Sequence, residues 1–118
     1  MANADAPNTN ALFEKWMAVD APKDLQSNER FLTVSGPVEV APGETAHLKE
    51  HVPQGINPSI LLLDAVVEGT PGPELILIFQ HVHFRKRLER RGQYKEVSIL
   101  RSGNPLTTIK VVVAESFA

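Results

Sequence analysis

Ile60-Leu-Leu-Leu-Asp-Ala-Val-Val67, the turn signals Gly69, Pro71, Gly72 and Pro73, and then Leu75-Ile-Leu-Ile-Phe-Gln-His-Val-His-Phe84 decide the fold class of this chain. Both apolar runs are short, aliphatic and bounded by Gly and Pro, the pattern of strands rather than helices. Neither alternates cleanly. Leu75, Leu77 and Phe79 would point one way, with Ile76 and Ile78 pointing the other. Fully buried strands read like this, so something should cover the outer face. Val111-Val-Val113 repeats the pattern. Asp64, set among aliphatics, should face solvent or pair with Arg30, Lys110 or another basic residue.

The punctuation continues on both sides. Upstream, Phe31–Val34 closes at Ser35-Gly36, Val38 and Val40 precede Pro42-Gly43, and Thr45–Val52 ends at Pro53. Downstream, Arg91-Gly92 leads into Tyr94–Leu100, and Ser102-Gly-Asn-Pro105 into Leu106–Ala114. About seven short strands at regular spacing predict an all-β domain over residues 26–118, an antiparallel β-sandwich, with a jelly roll or small closed barrel as the other arrangement.

Residues 1–25 read as a flexible N-terminal arm with one short amphipathic helix over 11–19. Leu12, Phe13, Trp16 and Met17 recur on one helical face, Asn10 is placed to cap it, and Pro22 stops it. A helix of two turns persists only when docked. Its surface is either this domain or a partner met through Trp16.

With 118 residues, 42% hydrophobic, 22% charged and a net charge of −2, the chain predicts one ordinary globular domain with no overall attraction to nucleic acid or membrane. It contains no cysteine, so disulfides and thiolate chemistry are excluded. Met-Ala-Asn-Ala-Asp-Ala-Pro7 lacks the regions of a secretory signal, although one removed before Ala2 is compatible with it. Leu75–Phe79 is too short to span a bilayer. A cytoplasmic location is the expectation.

Charge is unevenly placed. Residues 1–84 carry four bases against eleven acids, a net of −7, whereas residues 85–101 carry seven bases against two acids, a net of +5. Arg85, Arg87, Arg90 and Arg91, flanked by Phe84 and Tyr94, are the candidate binding residues for an anionic polymer or surface. The same charges would equally serve a solvated hairpin tip or pair between subunits. The acidic remainder argues against nucleic acid.

The four histidines form two close pairs. His81 and His83 share a strand face and could bind one metal. Followed by Glu89, they look superficially similar to the His-x-His strand of cupin-type sandwiches. The glutamate falls too late and the glycine framing is missing, so the family is not assigned. His47-Leu-Lys-Glu50-His51 matches the H-x-x-E-H pattern of inverted zinc peptidases, but Pro42-Gly43 and Pro53 leave no room for the long helix that chemistry needs. No bound metal or other cofactor is expected. No P-loop, nucleophile elbow or dinucleotide fingerprint occurs.

The expectation is therefore a non-enzymatic structural or protein-interaction domain that self-assembles, or docks a partner, through an apolar sheet face. A binding module acting through 85–91 is the alternative, and a small metal-dependent enzyme using His81 and His83 the second.

Overall fold

The computed structural model describes residues 15–74 and 76–115. They form eight strands: β1 (Met17–Pro22), β2 (Arg30–Val40), β3 (Glu44–Glu50), β4 (Ile60–Gly69), β5 (Ile78–Leu88), β6 (Glu96–Arg101), β7 (Asn104–Lys110) and β8 (Val112–Val113). Sheet A has the order β5-β2-β1-β8 and sheet B the order β3-β4-β6-β7. Among the described residues there is no helix.

One core draws on both sheets. Leu32, Val34, Val38 and Val40 come from β2, and Leu61 and Leu63 from β4, with Val97 and Ile99 from β6, all at most 1% exposed. The alternation that buries them is the period of two of a half-buried strand. The outward residues of β2 include Thr33 and Glu39, both exposed. Those of β4 include Ile60 and Leu62, which are half-buried rather than fully covered.

Three expectations are corrected. The helix over 11–19 is not formed where it can be seen: Met17–Val19 belong to β1, which pairs antiparallel with β2 from Met17↔Ser35 to Pro22↔Arg30. Leu12 and Phe13 lie outside the described residues. A two-turn helix is marginal, and a six-residue ladder that buries Ala18 and Asp20 outcompetes it. Second, pairing is only mostly antiparallel. β1 runs parallel to β8, and β4 parallel to β6. The chain reaches β6 from β4 by way of β5 in the other sheet, which supplies the crossover that a parallel pair requires. Third, Ser35-Gly36 does not end a strand. β2 runs on through Gly36 and Pro37. Beyond Ser35 it has no β1 partner, so Pro37, which lacks a donor, pairs only toward β5 at His81.

Gly36 has its own reason. A Cβ there would fall inside the Trp16 ring. Trp16 is half-buried and packs against the core at this point. Part of its side chain therefore packs against the fold's own core, over Gly36.

Two glutamine side chains stand in for missing backbone. Gln80, on β5, accepts from the Ala46 amide at 2.8 Å and donates to the Ala46 carbonyl at 3.2 Å. Gln54 does the same for Leu62, accepting at 2.9 Å and donating at 2.9 Å, just where the β3–β4 ladder runs out. Each primary amide presents a donor and an acceptor side by side, as a neighbouring strand would.

Candidate interaction face

β5 is an edge strand of sheet A. Its inward side chains Val82 and Leu88 are buried, and between them Lys86 reaches across to Glu50 of sheet B at 2.9 Å. That hydrogen-bonded carboxylate holds the Lys86 pKa above the ordinary lysine value of 10.5, against the opposing effect of partial burial. The outward side chains are Phe79, His81, His83, Arg85 and Arg87, all exposed. They form one stripe, apolar at its start and basic at its end.

At the basic end the charges are already engaged. The Arg85 guanidinium lies 3.8 Å from the centre of the Phe31 ring, a cation–π contact. Arg87 pairs with Glu29 at 3.3 Å. Arg90 and Arg91 lie past the strand end in the turn toward β6. Arg91 pairs with Glu115, whereas Arg90 lines a separate hollow. Arg85 and Arg87 thus share one stripe of β5, Arg90 and Arg91 sit in the turn after it, and Trp16 precedes β1.

In the middle of the stripe the His81 and His83 rings meet edge to face, 4.9 Å apart. Among the described residues no group of three or more His, Asp or Glu side chains could hold a metal ion. The other pair is on the outer side of sheet B. His47-Leu-Lys-Glu50-His51 lies along and just past β3, where period two turns Glu50 away from both histidines, and Glu50 bonds Lys86 instead. The peptidase arrangement is therefore not formed. His51 Nδ1 contacts Asp64 at 2.9 and 3.1 Å, which gives Asp64 a histidine partner in place of Arg30 or Lys110. Lys49, Ser102 and Gly103 share their hollow of about 360 Å³. Ser102 and Gly103 have φ of 53° and 81°, the left-handed values of a two-residue hairpin loop, so the turn itself accounts for the Ser102 backbone.

At the apolar end the expected buried strand does not appear. Ile76 and Leu77 precede β5, and Ile76, Leu77, Ile78 and Phe79 are 57%, 62%, 47% and 61% exposed. The run was legible in the sequence, but its position at a sheet's edge was not. On the outer side of the same sheet, Met17 and Val112 are also exposed. No helix among the described residues is long and apolar enough to cross a membrane.

Sequence reasoning missed Asp20, the one fully buried charged residue in the described core. Its carboxylate accepts from Arg30 Nε at 2.7 Å and from the Gly92 amide at 2.8 Å, while Arg30 also donates to the carbonyls of Asp20 and Ala114. The signal lay in Met17-Ala-Val-Asp-Ala21, which alternates once it is read as a strand. No family model matches the sequence, and no curated protein or solved structure matches it either.

Proposed function

We propose that this chain is a non-enzymatic interaction domain, a β-sandwich that assembles with a second copy of itself through the apolar start of β5. The observation that carries the reading is the exposure of four consecutive large apolar side chains, Ile76 to Phe79. Scattered exposed apolar residues are ordinary, but four in a row along the chain on a domain this small favour a contact there. A self-complementary patch repeated on two copies is the simplest closed assembly. The competing polyanion reading has less support, because Arg85, Arg87 and Arg91 already have partners within the chain.

Light scattering at micromolar concentration tests it. The wild type should exceed the monomer mass, and a variant with Ile76, Leu77 and Phe79 all changed to Ser should return to it with its fold intact. A monomeric wild type overturns the self-assembly reading. Retention on heparin at physiological salt, lost when Arg85, Arg87, Arg90 and Arg91 become Ser, would put the polyanion reading in its place.

A further inference from the structure

The turn that follows β5 faces the 54–60 loop across a hollow of about 300 Å³, lined by Gln54, Asn57, Pro58, Ile60, Arg90, Gln93 and Tyr94 among others. Its chemistry is set by which polar atoms are already used. The Asn57 Oδ1 accepts from the Ser59 amide and hydroxyl, at 2.9 and 2.8 Å. The Gln93 Oε1 accepts from the Glu89 amide at 2.7 Å. Backbone N–H donors fix these orientations, because only the oxygen of a side-chain amide can receive them. Asn57 is therefore left with its NH₂ group, and Gln93 with its NH₂ group and one lone pair of Oε1. Gln54 contributes little, since its oxygen and nitrogen are bound to Leu62 and His51 backbone.

Arg90 adds five further donors and, among the described residues, has no ion-pair partner. In this it differs from Arg87 and Arg91 of the same segment. No carboxylate lines the hollow. Two other hollows lack this property: one contains Glu29 and Glu89 beside Arg87, and the other contains Asp64 beside Lys49 and His51. Glu89, the acid next to Arg90 in sequence, thus lines a different hollow. Pro58, Ile60 and the Tyr94 ring supply the apolar part of the wall.

We infer that this hollow binds a small ligand with an apolar, ring-sized body and one oxyanion head, a carboxylate or a phosphate monoester, held by Arg90 with the amide NH₂ groups of Asn57 and Gln93. A cavity of this volume lies at the lower end of small-ligand sites, and a few convergent polar groups in an apolar wall are their usual composition. Arginine suits the head group because its planar fork matches two oxygens at once. The site is independent of the Ile76–Phe79 surface, so either can fail alone.

The test is a titration of the ¹⁵N-labelled full chain, followed by two-dimensional NMR, with phenyl phosphate, benzoate and the neutral benzyl alcohol. Both anions should shift the Gln93 and Tyr94 amides saturably, and benzyl alcohol should not. Tighter binding of phenyl phosphate would assign the phosphate monoester and tighter binding of benzoate the carboxylate. Arg90→Met should weaken the anions at least about tenfold, the usual worth of a charge-assisted hydrogen bond. Gln93→Glu keeps the acceptor that caps Glu89 and replaces only the NH₂, so it should weaken them similarly while the rest of the spectrum stays in place. Equal shifts with benzyl alcohol, undiminished binding in Arg90→Met, or no saturable shift with either anion would overturn the assignment.

Discussion

Asp20 shows how one residue ties distant parts of the chain together. Its carboxylate joins β1 to Arg30 at the start of β2 and to Gly92 in the turn after β5, and Arg30 reaches on to Ala114 beyond β8. Removing one member of a buried pair leaves the other charged and unpaired, which costs about 3–5 kcal/mol. Asp20→Ala should therefore lower the urea midpoint by that equivalent. The double variant Asp20→Ala, Arg30→Met should lose less than Asp20→Ala alone, because no buried charge is left uncompensated. Gln80 works at the same scale without charge. Gln80→Leu would strip the Ala46 amide and carbonyl of their partner, at about 1–3 kcal/mol. Hydrogen exchange distinguishes this from a general loosening: the Ala46 amide should lose more protection than the change in global stability explains.

At the scale of the strands, β5 and β3 approach one another without forming a ladder, and side chains close the gap. Lys86 and Glu50 are one such link, partly exposed and worth no more than about 1 kcal/mol. Because the folded-state pKa of Lys86 is raised, its contribution is fully present below the ordinary value of 10.5 and is lost as pH climbs through the higher folded-state value. The difference in urea midpoint between wild type and Lys86→Met should thus hold steady from neutral pH and shrink only above that value. The turns of these strands were legible in the sequence. Gly43, Gly92 and Gly103 all take positive φ, as the Pro42-Gly43, Arg91-Gly92 and Ser102-Gly103 signals imply. The failures have local causes. The apparent helical face of Trp16 and Met17 splits when read as strand, with Trp16 against Gly36 and Met17 exposed. The apolar pattern of Leu75–Phe79 says nothing about which sheet the strand joins or whether that edge is covered. Nor could the hollow around Arg90 be read in advance, since only folding sets which atoms of Asn57 and Gln93 are already bonded to neighbouring backbone.

Across the whole molecule, the charge asymmetry of the sequence folds back on itself in part, with three of the seven bases of residues 85–101 in ion pairs. Bases of the +5 segment meet acids of the −7 segment at Lys86–Glu50 and Arg87–Glu29, and Arg91 meets Glu115 near the C-terminus. These pairs close within one chain, so they leave less charge to hold subunits together. Besides Arg90, which has no ion-pair partner among the described residues, what faces outward is the apolar run Ile76–Phe79. Assembly driven by that surface has two signatures. It should be nearly indifferent to added sodium chloride and be strengthened by sulfate, which favours burial of apolar area. Thermal unfolding should also depend on protein concentration, because a folded dimer that melts to unfolded single chains is stabilised by mass action. A tenfold increase in concentration adds about 1.4 kcal/mol per dimer, or about 0.7 kcal/mol per chain, which for a domain of this size raises the melting temperature by about 3 °C. Scanning calorimetry over two decades of concentration would show it. The Ile76, Leu77 and Phe79 to Ser variant should melt at one temperature throughout, and a wild type that did the same would show that the native state holds a single copy.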